Sequence, residues 1–184
     1  MIKRIFEWLM SPMGRVGVLI AVLSLFSLAA YGLYTTQQPP EQPIEFRHDV
    51  HVKLGVQCLY CHPGALRGPS PGLPTQTKCW GCHQQIAKTL TSERLLVLKE
   101  YVESGEPIVW IPVAQVPDFV HFNHRPHVAA GLNCENCHGE LGEMEIYENP
   151  QVLNMGWCLD CHRERAGDDE EKLIKLTDCG TCHY

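Results

Sequence analysis

The chain has 184 residues, ten of them cysteine, with 15 lysines and arginines against 21 aspartates and glutamates, for a formal charge of −6. That balance removes the case for a nucleic-acid partner held by a basic patch. The length allows one compact domain, or two small modules, beside any targeting segment.

In chain order, residues 1–14 place Ile2, Ile5, Phe6 and Leu9 at helical spacing beside Trp8, ahead of Pro12 and Gly14. This predicts a short cytoplasmic or interfacial helix. Residues 15–35 read as a membrane anchor. Val16 to Tyr34 is 19 residues without a charge, and at about 1.5 Å per residue such a helix crosses a hydrocarbon core of about 30 Å. Lys3, Arg4 and Arg15 precede it with only Glu7 opposing, and the first charges beyond it are Glu41 and Glu45. The positive-inside rule then leaves the amino terminus in the cytoplasm and the bulk of the chain outside. A cleaved signal peptide, with Ser27-Leu28-Ala29 as its processing site, is the rival reading. Residues 36–45, with Pro39, Pro40 and Pro43, predict a stiff, solvated spacer.

Beyond the spacer, residues 46–118 and 119–184 form two stretches. Pro63 to Pro74 is rich in proline and glycine and predicts a loop. Gln84 to Ser104 predicts a helix stopped by Gly105-Glu106-Pro107. Ile108 to Val116 is the best strand candidate.

The cysteines fall at 58/61, 79/82, 134/137, 158/161 and 179/182, two in the first stretch's opening motif, two in its second, and six in the last stretch. Each second cysteine is followed by histidine: His62, His83, His138, His162 and His183. Cys-x-x-Cys-His is the attachment signal for c-type haem. Two thiols add across the two vinyl groups, and the next residue offers its imidazole to the iron as proximal ligand. A disulfide framework does not explain the histidines. Zinc knuckles fit an odd number of pairs badly, and a thioredoxin-like site needs one motif on a βαβ unit. Five c-type haems are therefore expected, held by Cys58, Cys61, Cys79, Cys82, Cys134, Cys137, Cys158, Cys161, Cys179 and Cys182. Such attachment occurs outside the cytoplasm, in agreement with the charge rule. So many porphyrins on a short chain must supply much of the core. The expected fold is mostly irregular, with short α-helices wrapped round stacked haems, plus one N-terminal transmembrane helix.

The other histidines are His48, His51, His121, His124 and His127. Phe46-x-His48-x-x-His51 and Phe122-x-His124-x-x-His127 repeat one pattern, each seven residues before the next motif. Residues three apart share a helical face, yet one iron has a single open axial position. Each pair must serve two different haems, which forces those haems together. Counting histidines leaves His121 for the fifth iron, with Met155 and Met144 as thioether alternatives.

The repeated Phe-x-His-x-x-His before Cys-x-x-Cys-His resembles the class III multihaem cytochromes. The resemblance implies that His48 binds the iron of His62, His51 that of His83, His124 that of His138 and His127 that of His162. It also implies Met155 for the iron of His183. Over a longer span, Pro107-Ile108-Val109-Trp110, Pro117-Asp118-Phe119-Val120 and Met155-Gly156-Trp157-Cys158-Leu159-Asp160-Cys161-His162-Arg163 look like the pentahaem subunit of bacterial alternative complex III. His121 departs from the aromatic residue expected there. This second resemblance implies an electron-transfer subunit, not an enzyme by itself, in the bacterial inner membrane with its haem domain in the periplasm. Its partners would be quinol-oxidising membrane subunits, an iron–sulfur subunit, membrane lipid, and a downstream cytochrome, copper protein or terminal oxidase. The alternatives are a single-anchor multihaem quinol dehydrogenase of the tetrahaem type and an electron donor to a periplasmic reductase. The former often carries a methionine two residues after a motif histidine, where this chain has Gly64, Gln85, Glu140 and Glu164.

Overall fold

The computed structural model describes residues 7, 9–149 and 153–184, and the chain divides into two compact units, Met1–Gln38 and Pro39–Tyr184. The helix expected over Ile2 to Leu9 lies, but for Glu7 and Leu9, outside the described residues. In the first unit, α1 spans Pro12–Gln37. Ser11 caps it, its hydroxyl accepting from the Gly14 amide at 3.1 Å. Pro12 takes the first helical position, where its missing N–H costs nothing. It therefore opens the helix. Within Pro12–Thr35 the helix is long and apolar enough to cross a membrane, and its most apolar stretch is exposed. Leu25, Phe26 and Leu28 are each about 70% exposed, a surface that lipid would satisfy.

The second unit is helical, and no β-strand occurs among the described residues. Its helices are α2 (His48–Lys53), α3 (Cys58–Cys61), α4 (Gln76–His83), α5 (Glu93–Ser104), α6 (His124–Ala129), α7 (Glu135–His138), α8 (Met155–Ala166) and α9 (Glu170–Thr177). Local chemistry sets many of the ends. Asn123, Asn154 and Asp169 accept from the amides of Arg125, Trp157 and Lys172, the ordinary N-cap bond. Gly105, with φ of 74°, closes α5 in the left-handed conformation, which glycine adopts without penalty.

Two expectations are corrected. The helix predicted over 84–104 begins only at Glu93, and Ala87–Leu90 is a single 3₁₀ turn. Thr89 is fully buried and its hydroxyl donates back to the His83 carbonyl at 2.7 Å, a side-chain bond that competes with helix continuation. Residues 108–116 are not a strand. Pro107, Pro112 and Pro117 punctuate the stretch and lack the N–H that a ladder needs. One side chain takes the place of a partner strand: Gln42 donates to the Ile111 carbonyl at 2.8 Å and accepts from its amide at 3.0 Å. The proline-rich spacer is thus docked at Gln42, and Glu45 is bound through both oxygens by Arg94 at 2.7 Å.

Side chains build very little core. Among the described residues only Ala65, Leu98 and Ala166 are buried and apolar. A unit of this length normally buries far more.

Candidate haem-binding site

Each motif occupies one helical turn. His62, His138 and His183 donate their amides to the carbonyls of Cys58, Cys134 and Cys179 at 2.9, 3.0 and 2.9 Å, while the motifs at 79 and 158 lie within α4 and α8. One turn sets the two thiols, three residues apart, and the following imidazole on the same side. No disulfide joins any of the ten cysteines.

Three pairs of imidazoles face one another across the fold. Ring centres are 6.1 Å apart for His51 and His83, 6.3 Å for His124 and His138, and 6.1 Å for His127 and His162. An imidazole–metal bond of about 2 Å on each side, with the two half-rings, places two axial imidazoles roughly 6 Å apart centre to centre. His48 lies close enough to His62 and His138 for their charges to act on its own. α2 therefore presents its two histidines towards two different motifs, and α6 does the same.

The second ring nitrogens are largely committed. His62, His124, His162 and His183 direct Nδ1 at the carbonyls of Gly72, Pro69, Leu176 and Phe119, at 2.7, 2.6, 2.7 and 2.9 Å. His51 and His127 direct theirs at the carbonyls of Arg47 and Asn123, at 2.7 and 2.8 Å. A carbonyl can only accept, so Nδ1 carries the proton and Nε2 keeps a lone pair for a metal. His48 and His83 are exceptions, with Nδ1 buried and without a protein partner. Burial, then the charges of His62, His51 and His138, pushes His48 down to about 4. Burial also lowers His83, His127 and His138. These imidazoles are neutral near pH 7, the form that binds iron.

The residues fit c-type haem. The imidazole spacing suits bis-axial ligation, the thiols sit within one turn of an imidazole, and the side chains leave the core to be built by a large apolar group. No group of three or more His, Cys, Asp or Glu among the described residues converges as a zinc centre would require. Bound haem supplies one-electron iron chemistry. The chain supplies attachment, neutral imidazoles and fixed ring orientation.

The three candidates for the fifth distal ligand lie in different surroundings. Met155 opens α8 and is 61% exposed. His121 stacks on Tyr184 with ring centres 4.4 Å apart, and its amide donates to the Cys182 carbonyl at 2.8 Å. Met144 offers its carbonyl to the Asp49 amide at 3.3 Å.

Sequence reasoning missed three supporting groups. The loop after His62 presents the Pro69 and Gly72 carbonyls to two imidazoles. Arg47 holds Asp49 through two bonds of 2.9 and 2.7 Å and Glu145 at 2.6 Å; its hydrogen bonds keep the Asp49 carboxyl down at about 2. Tyr147 meets His138, its hydroxyl 2.8 Å from Nδ1, and burial pushes the phenol up to about 12. Only the loop left a signal, at Gly64. A Cβ there would lie 2.5 Å from the Ser70 carbonyl oxygen and 2.7 Å from that of Pro71. Gly64→Ala is expected to displace the loop, destabilise the unit by about 1–3 kcal/mol, and perturb the surroundings of His62 and His124 together. Unchanged melting and spectra would show that the loop does not orient those ligands.

Residues 120–184, with their three motifs, match the family of cytochrome c7 and related cytochrome c. Over 157 residues the chain is 33% identical to the menaquinone reductase, multiheme cytochrome c subunit, of Nitratidesulfovibrio vulgaris (Hildenborough), spanning 78% of this chain and 68% of that protein.

Proposed function

Because this chain belongs to the multihaem c-type cytochromes, we propose that it is the pentahaem electron-transfer subunit of a quinol-oxidising membrane complex. In this reading the five Cys-x-x-Cys-His motifs each hold one haem, with His62, His83, His138, His162 and His183 proximal. His48, His51, His124 and His127 fill four distal positions and Met155 the fifth. Residues 46–118 make a two-haem module and 119–184 a three-haem module, outside the cytoplasmic membrane and tethered by α1. The observation that carries the reading is the set of three facing imidazole pairs about 6 Å apart, which suits electron carriage at six-coordinate irons. Electrons arrive from quinol through an iron–sulfur partner and leave to a cytochrome, a copper protein or a terminal oxidase.

The similarity to a menaquinone reductase subunit favours a second reading, in which the same wire runs towards the quinone. Both directions are tested on the native complex extracted in mild detergent. Quinone-reactive subunits should co-purify, a quinol analogue should reduce the haems, and the isolated chain should accept electrons from dithionite without oxidising quinol. Haems that ignore quinol but, once reduced, pass electrons to a menaquinone analogue would establish the reverse direction. Rapid quinol turnover by the isolated chain would make it a quinol dehydrogenase in its own right.

A further inference from the structure

Six histidines direct Nδ1 at a backbone carbonyl, whereas His138 meets a side chain, the Tyr147 hydroxyl at 2.8 Å. The same ring approaches a ligand of another motif, its centre lying 5.9 Å from that of His48 and 6.0 Å from that of His138. The two imidazoles come from stretches 90 residues apart in sequence, and Tyr147 is the side chain that touches both. It is not there by accident of a loose loop. The arm that carries it is strapped to the start of α2 by the Arg47–Glu145 ion pair at 2.6 Å and by the Asp49 amide on the Met144 carbonyl at 3.3 Å. Arg47 in turn grips Asp49 and offers its own carbonyl to His51 Nδ1. One arginine therefore fixes both the helix bearing His48 and the arm bearing Tyr147.

We infer that Tyr147 is a positioning residue at the junction of the two haem groups: its hydroxyl accepts the Nδ1 proton of His138 and so sets that ligand's orientation and donor strength, while its ring holds His48 in register. The inference rests on the reading of His48 and His138 as axial ligands. A hydrogen-bond acceptor on the far nitrogen makes an imidazole more basic, and a more basic ligand favours ferric iron. Removing the acceptor weakens the ligand and raises the potential of that one iron.

Tyr147→Phe keeps the ring and removes the acceptor. In the full-length membrane-bound chain, intact mass should show an unchanged haem load. A potentiometric titration should show one midpoint shifted upward with the others unmoved, and one low-spin electron paramagnetic resonance signal should change its g-values. Tyr147→Leu should disturb a second signal, that of the His48 haem. A Tyr147→Phe chain with full haem load and every midpoint unmoved overturns the inference. His138→Ala separates this from failure of the ligand reading itself. If it removes one low-spin signal while Tyr147→Phe is silent, only the role of Tyr147 falls; if it leaves all low-spin signals intact, the axial assignment is wrong.

Discussion

The denatured, matured chain is expected to exceed its polypeptide mass by five haem groups, and replacing Cys58 and Cys61 together by serine is expected to unfold the second unit. The stoichiometry follows from the pairing of all ten cysteines, with a histidine after each second member. The stability effect follows from how little else fills the interior, since only Ala65, Leu98 and Ala166 are buried apolar residues among those described. A void costs roughly 24 cal/mol per Å³, so one the size of a tetrapyrrole costs on the order of 10 kcal/mol, comparable to the whole stability of a typical domain, about 5–15 kcal/mol. The 58/61 motif is also central. Cys61 lies near Cys79 and Cys82, and Cys134 lies within hydrogen-bonding reach of Cys58. Lys78, beside the second motif, sits 4.1 Å over the Tyr60 ring inside the first. Losing this haem should loosen two neighbours, whereas replacing Cys179 and Cys182 at the end of the chain should cost mainly one. Four or fewer haem additions in matured wild-type protein would refute the stoichiometry. Equal melting of the two double variants would refute the central role of the first motif.

Mixed axial ligation is the second large expected effect: the proposed ligand set gives four bis-histidine irons and one held by His183 and Met155. Met155 and Cys158 are three apart on α8 and share a face, and Cys158 lies close enough to Cys182 for the two thiols to interact. α8 thus presents Met155 on the side that meets the last motif. His121 is tied to the same turn through its amide, but one face of its ring is taken by Tyr184. A thioether gives iron less electron density than imidazole and favours the ferrous state, so this iron should have the highest of the five potentials. That suits the exit of an electron path. Met155→Leu should abolish the single His–Met low-spin signal and lower one potential while the other four hold. Loss of a bis-histidine signal in His121→Ala, with Met155→Leu silent, would assign His121 instead.

The sequence alone determined whatever one helical turn contains. Cys-x-x-Cys-His needs a single turn to bring two thiols and an imidazole to one side, and His48 with His51, or His124 with His127, needs one more. The apolar run of α1 is equally local. Secondary structure between the motifs was less legible: the Thr89 bond to His83 broke a predicted helix, and Gln42 replaced a strand partner for Ile111 from 69 residues away. The supports of the ligands were not legible. His124 finds its acceptor at Pro69, 55 residues back, and Arg47 reaches Glu145 across 98 residues. Where a carbonyl or a phenol meets an imidazole depends on the path of whole loops around the packed groups, and no local periodicity encodes that path. Only the tertiary structure decided it, by bringing Tyr147 to His138 and His48.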